Sequence, residues 1–189
     1  VIEHFLVFLK IKIDPWEIDN HVKKILLTSK TKVLFFFSFS SESFFRDETP
    51  KTNDNFKKYI KQFQDNFEIG LLPSNSALKK LKIFESENFD ISKLVHIKID
   101  KILLKGGLKK ISEDYKNSLS LDSANDFSMG YIDAFGFRAS TCLSFFFYDL
   151  SNETKTKLLV TPFFAHHRLI EKISLSEVKY KIKKFKEIA

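Results

Sequence analysis

The segment Thr31 to Phe39, TKVLFFFSF, places the tightest limit on what this chain can fold into. It is short, continuously apolar, aromatic and β-branched, and it lies between polar clusters. A strand with one wet face alternates apolar and polar residues; this run offers no face to water and reads as a strand buried on both sides. Such a strand needs helices to cover it, and the neighbouring sequence supplies them. Asp14-Pro15 breaks the chain, because the residue before a proline is pushed away from the helical region. Trp16 to Thr28 then carries Ile18, Val22, Ile25 and Leu26 at helical spacing. After a polar loop over Ser40 to Asn53, Asp54 to Asn66 sets Phe56, Tyr59, Ile60 and Phe63 on one helical face and lysines on the other.

Further on, Phe67 to Leu72 is a second short strand ending at Pro73, followed by a basic amphipathic helix from Ala77 to Phe84 or beyond. Ile91 to Leu104 contains an alternating stretch, Val95, Ile97 and Ile99, that suits a strand. Gly106-Gly107 breaks the chain ahead of a weaker helix over Leu108 to Leu119, and a strand over Lys157 to Phe164 leads into Ala165-His166-His167. Ser174-x-x-Glu177 is a capping-box pattern that opens a C-terminal amphipathic basic helix over residues 174–189. Its Val178, Ile182, Phe185 and Ile188 face inward, and its lysines mostly face water. Residues 5–13 form an apolar segment compatible with either helix or strand. Strand and helix alternate from Trp16 onward, so the expected architecture is α/β: a parallel sheet covered by helices, as an open layer or a partial barrel, in one domain over residues 1–189.

Composition narrows the function classes. The 189 residues suit one domain, and 43% hydrophobic content is enough for a sizeable core. A net charge of +7 suits an anionic partner. The lysines are interleaved with acids over helix faces, however, which reads as a solvated surface. No nucleic-acid motif accompanies them, so nucleic acid is not favoured. The lone Cys142, in an apolar run, gives neither a disulfide framework nor a metal cluster and reads as a small buried thiol. No apolar run approaches the roughly 18 residues of a membrane span. The opening VIEHFLVFLKIKID lacks the basic region and cleavage site of a signal peptide, so a cytoplasmic location is expected. The chain begins with Val and reads as a piece of a longer one.

Parallel-strand folds place their sites at the carboxyl ends of strands. The corresponding positions are Ser38–Ser43, Leu72–Ser76, 103–106, Asp133–Arg138 and Ala165–Arg168. The stretch from Asp126 to Leu150, DFSMGYIDAFGFRASTCLSFFFYDL, holds two of the five glycines and the only methionine and cysteine, and is the expected wall of a site. Asp133 and Arg138, on either side of Gly136, read as an ion pair at a tight turn or as ligand contacts. Ser74 and Ser76 read as turn formers beside Pro73 or as hydrogen-bonding groups for a sugar. In a strand, His166 and His167 would point to opposite faces and would not share one ion. No P-loop, G-x-G-x-x-G or H-E-x-x-H motif occurs, and no complete catalytic constellation is visible.

Three segments taken together, EIGLLPSNS (Glu68–Ser76), the stretch from Asp126 to Leu150 and LLVTPFF (Leu158–Phe164), resemble a bacterial group of polysaccharide deacetylase-like proteins. This group lies within the superfamily of chitin-oligosaccharide deacetylase homologues. Asp14-Pro15-Trp16 before a helix, and VLFFFSFSSESFFRD leading into a lysine-rich helix, add to the likeness. It runs from about Asp14 to Phe164 and is strongest over residues 126–150. The resemblance implies an incomplete (β/α) barrel. Its first strand, with an Asp-x-Asp-like motif, should precede Asp14; Val1–Ile13 holds no such motif, so the barrel is expected to lack that strand.

Active members of the superfamily hold zinc or another divalent metal with an Asp and two His, activate water against an N-acetyl group, and use a second Asp as base. The resemblance places Leu72 where the first histidine of the family stands and Ser76 where the wider superfamily has its second. An Arg-Gln-His-type segment falls on Leu103, Leu104 and Lys105, and the acid of a late Pro-Phe-x-x-Met-Asp motif is replaced by His167. Tyr131, Asp133, Gly136, Phe137 and Arg138 are retained, and Tyr131, Asp133 and Arg138 are the implied ligand-binding residues.

The expectation is therefore a truncated, catalytically inactive polysaccharide deacetylase-like protein of carbohydrate metabolism. It would carry no metal of its own and would have a polysaccharide or N-acetylated oligosaccharide as partner. Loss of the first strand would leave a sheet edge open to self-association. Two alternatives stand beside this reading. One is an active metal-dependent N-deacetylase completed by residues upstream of Val1. The other is a basic module that binds an anionic polymer through Lys79–Lys82 and Lys179–Lys186.

Overall fold

A computed structural model of the chain describes residues 32–40, 51–121 and 124–187. The chain divides into two compact units, Val1–Leu34 and Phe35–Ala189. The helix expected over Trp16–Thr28, the apolar segment 5–13 and most of the Ser40–Asn53 loop lie outside the described residues.

Six strands form one open sheet in the order β1-β2-β3-β4-β6-β5. They are β1 (Leu34–Phe37), β2 (Glu68–Leu71), β3 (Lys101–Ile102), β4 (Asn125–Asp126), β5 (Phe145–Asp149) and β6 (Thr154–Val160). β2, β3, β4 and β6 run parallel to their neighbours in turn, and β5 returns antiparallel along β6. The fold is mixed α/β with a mostly parallel sheet, as the alternation of strand and helix patterns indicates. Among the described residues the sheet does not close on itself.

The apolar run of β1 divides its side chains between two environments. Phe35 and Phe37 meet Phe63 of helix α1 (Asp54–Gln64) with ring centroids 4.7 and 5.9 Å apart, edge to face. Phe36 turns to the other face, with its ring 5.6 Å from that of Phe127. Edge-to-face packing of this kind adds to the burial of aromatic area. α1 begins where the Asn53 side chain accepts the Phe56 N–H. It buries Ile60 and Phe63, as its sequence pattern predicts.

The region after β2 differs from the expected course. The basic helix is two helices, α2 (Asn75–Lys79) and α3 (Leu81–Val95), separated by an extended Lys80. α3 runs through the start of the segment expected to hold a strand. Its buried residues Phe84, Glu87, Asn88, Ile91 and Val95 recur at three- and four-residue spacing, a stronger pattern than the alternation of Val95, Ile97 and Ile99. Two side chains of α3 also take the backbone groups that a strand neighbour would pair. Ser92 Oγ accepts the Ile99 N–H, and Asn88 Nδ2 donates to the Ile99 carbonyl. Pairing within the sheet is confined to Lys101 and Ile102.

The weak helix over Leu108–Leu119 is reduced to α4 (Ile111–Asp114) and a 3₁₀ turn at Ser118–Ser120. The Asp114 carboxylate accepts the Lys109 and Lys110 N–H groups at the start of α4. The antiparallel β5 was not anticipated, and β6 occupies Thr154–Val160 in place of Lys157–Phe164. Cys142 is exposed in the loop before β5, not buried, because the apolar run around it does not enter the sheet until Phe145.

After β6 come the short α5 (His167–Ile170) and α6 (Leu175–Lys186), where Ser174 Oγ accepts the Glu177 N–H. α6 buries Val178 and packs Phe185 on Phe164 at 4.4 Å, but Ile182 is largely exposed; Ile188 lies outside the described residues. Among the described residues no helix is long and apolar enough to cross a membrane.

Helix α3 makes a direct test available. Ile91 is fully buried and Ile97 is 52% exposed. Ile91→Ala is expected to cost about 2–5 kcal/mol in denaturant melts, and Ile97→Ala to stay within about 0.5 kcal/mol of the native chain. Equal costs at the two positions would favour the strand pattern over the helix.

Candidate functional site

The carboxyl end of β4 is organised by Asp126, which is fully buried. Its Oδ1 accepts the Tyr115 hydroxyl and the Ser128 N–H, each at 2.8 Å, and its Oδ2 accepts the Ser128 hydroxyl at 2.8 Å. Ser128 Oγ in turn accepts the Leu104 N–H at 2.8 Å, which connects the exit of β4 to the exit of β3. Burial pushes the Asp126 carboxyl up to about 6, against the opposing effect of these hydrogen bonds. Burial, and next the Asp126 charge, push the Tyr115 phenol far up, so it stays protonated and remains a donor. The turn after β2 is fixed in a similar way. Glu87 of α3 accepts the Ser74 N–H, and Ser74 Oγ caps α2 through the Ala77 N–H.

A pocket of about 470 Å³ opens where these strand exits converge. Its walls come from β1 (Phe36), the end of β2 (Leu72), residues 103–107 after β3, Phe127, Ser128 and Ile132 after β4, and Phe163 with 165–168 after β6. Gly130 allows the loop after β4 to lie against the ring of Phe163, since a Cβ there would stand 2.4 Å from that ring. Three of the five segments expected at the carboxyl ends of strands thus contribute, through Leu72, 103–106 and Ala165–Arg168, whereas the loop after β4 contributes Phe127, Ser128 and Ile132 and no residue of Asp133–Arg138. Of Ser38–Ser43, the described residues 38–40 are not on the lining.

The individual residues expected at a site divide into two groups. Leu72, Lys105 and His167 all line the pocket. Ser76 lies in α2, and Tyr131, Asp133 and Arg138 lie in the long loop after β4; none of these four is on the lining. Tyr131 and Asp133 are exposed on either side of Ile132. No ion pair joins Asp133 and Arg138. Arg138 donates instead to the Leu108 carbonyl at 2.5 Å and braces the loop against the segment after β3. Asp126, Tyr115 and Ser128 were not singled out from the sequence. The two-residue β4 gives too short a pattern to show that Asp126 points inward.

His166 and His167 do not sit in a strand. His166 caps α5, its Nδ1 accepting the Arg168 N–H at 3.3 Å, and the two imidazole rings are 4.2 Å apart. Burial, and next the neighbouring His167 and Arg168, lower the His166 pKa. With Nδ1 accepting, the proton of the neutral ring is on Nε2. Among the described residues no group of three His, Cys, Asp or Glu could hold a metal ion. A hydrocarbon at Leu72 and an ammonium at Lys105 supply no donor pair for zinc, so the described lining does not fit that ion.

Compared with protein-family models, with curated proteins and with solved structures, the chain matches none.

The position of Asp126 gives a pH dependence of known sign. Its folded pKa of about 6 lies above the usual 3.8, so its contribution to stability is complete below about pH 4 and is lost as pH rises through about 6. The loss is on the order of 3 kcal/mol, from about two pKa units at 1.36 kcal/mol each. Asp126→Asn cannot titrate. Urea melts from pH 4 to 7 should show the native chain losing stability relative to the variant across that window; a constant difference would mean that Asp126 does not titrate there.

Proposed function

We propose that this chain is a polysaccharide deacetylase-like protein of carbohydrate metabolism, built on an incomplete (β/α) barrel and without the deacetylase reaction. The observation that carries the reading is the convergence of Leu72, Lys105 and His167 on one pocket. These positions are far apart in sequence, and each is where the resemblance places a reactive group of the family. The pocket also lies at the carboxyl ends of a mostly parallel sheet, where folds of this kind place their chemistry. Two of the replacements remove a function: leucine offers no lone pair, and a lysine ammonium repels a cation. A deacetylase needs a metal-bound water in such a pocket, and the described lining does not supply its ligands.

Sugar binding can outlast the loss of chemistry, because it would depend on residues of the loop after β4 that are not on the pocket lining. Tyr131 offers an exposed ring for stacking and Asp133 an exposed carboxylate for sugar hydroxyls. Arg138 keeps further guanidinium donors beyond the one given to Leu108. The expected partner is therefore an N-acetylated oligosaccharide or polysaccharide lying across the loop after β4.

Three measurements test this. Purified protein should hold less than roughly one tenth of an equivalent of zinc, since intact sites of this type retain metal tightly. It should release no acetate from an N-acetylated chitin oligosaccharide, with or without added zinc; zinc-dependent release would overturn the inactive reading. Calorimetry with the same oligosaccharide should show binding that Tyr131→Ala or Asp133→Ala weakens, and unchanged heats in both variants would remove those residues from the site.

A further inference from the structure

A second groove, of about 520 Å³, is formed by α1, α3 and the residues just before α1. None of its described lining residues is shared with the pocket at the strand exits. The buried Phe39 and the half-buried Leu94 give it an apolar part. Around them stand four lysines, Lys51, Lys57, Lys61 and Lys93, against one carboxylate among the described lining residues, that of Asp90.

The fold assembles this cluster from three separate segments. Lys57 and Lys61 are four residues apart in α1 and share one helix face, where like charges repel. Lys93 comes from the last turn of α3. Lys51 is held near Phe39 by its own backbone, whose N–H donates to the Ser40 carbonyl at 2.8 Å. Two of the four ammoniums are paired, Lys51 with Asp90 at 2.7 Å and Lys57 with Asp54 at 2.8 Å. An ammonium has three N–H donors, so each keeps others for a ligand. Lys61 and Lys93 are exposed, and among the described residues no ion pair engages either. Both stand in the last turn of their helices, where the free carbonyls favour a cation. A lysine ammonium is a compact point charge that donates and cannot accept, which suits a phosphate oxygen. A single phosphate reaches one such charge well; two linked phosphates can serve lysines on two different helices.

We propose that this groove binds the diphosphate group of a small phosphorylated ligand, with Lys61 of α1 and Lys93 of α3 as its principal contacts. Lys51 and Lys57 add their remaining donors at the edge of the group. The inference is independent of the oligosaccharide reading, which concerns the loop after β4.

The test titrates the full chain with pyrophosphate and with orthophosphate, followed by calorimetry and phosphorus NMR. Pyrophosphate should bind at least about fivefold more tightly than orthophosphate, and its affinity should fall as salt is raised. Lys61→Gln and Lys93→Gln replace exposed side chains and should each weaken pyrophosphate by about fivefold, with unchanged urea midpoints. Lys179→Gln removes an exposed charge from α6, outside the groove, and should leave the affinity nearly unchanged. Adenosine diphosphate carries the same group on a nucleoside: tighter binding than pyrophosphate identifies a nucleotide as the ligand, and equal or weaker binding identifies the inorganic diphosphate. An equal loss in Lys179→Gln would show attraction by net charge alone and overturn the assignment. So would a pyrophosphate affinity indifferent to both groove substitutions, equal binding of the two inorganic phosphates, or no saturation by pyrophosphate.

Discussion

The buried carboxylate of Asp126 is the point on which the carboxyl face of the sheet depends. A carboxyl group taken fully out of water must be satisfied by donors or it is costly. Tyr115 and Ser128 provide those donors, and Ser128 passes the connection to the backbone of Leu104. One side chain thereby ties the exits of β3 and β4 to the segment between them. The pocket opens over this network, with Ser128 on its wall. The carboxyl rises to about 6 because three hydrogen bonds do not fully offset the loss of hydration.

The second constraint is the division of β1 between two environments. Phe35 and Phe37 fill the layer between sheet and α1, while Phe36 meets Phe127 and lines the pocket. A single run of three phenylalanines therefore builds part of the core on one face and part of a binding wall on the other. Neighbouring Gly70 of β2 has no room for a side chain, since a Cβ would stand 2.6 Å from the Phe36 ring and 2.8 Å from the Lys101 carbonyl. The close spacing that places Phe36 depends on that glycine.

Much of the architecture was legible because it rests on local pattern. The apolar run of β1, the amphipathic face of α1, the strand before Pro73 and the cap at Ser174 are each recorded within a few residues. The errors arose where tertiary contacts outweighed local pattern. Val95, Ile97 and Ile99 alternate, yet Ser92 and Asn88 of α3 take the backbone groups of Ile99 that a sheet neighbour would have used. Arg138 and Asp133 carry opposite charges across a glycine, yet the arginine reaches the Leu108 carbonyl. His166 and His167, beyond the strand expected over Lys157–Phe164, cap and open a helix. For Ile99 and Arg138 the partner lies outside the local window that a sequence pattern can report.

By itself the sequence determined the α/β class and three of the five expected strand-end segments that line the pocket, because both follow from periodicity and from breaks at proline and glycine. It also set a leucine at position 72, a side chain that cannot act as a ligand in any fold. Only the tertiary structure decided that Leu72, Lys105 and His167 share one pocket while Ser76, Tyr131, Asp133 and Arg138 do not line it. It alone placed Asp126 in the interior, because a two-residue strand has no periodicity to read. Convergence of distant residues depends on how the strands are ordered in the sheet, and that order is set by packing between elements.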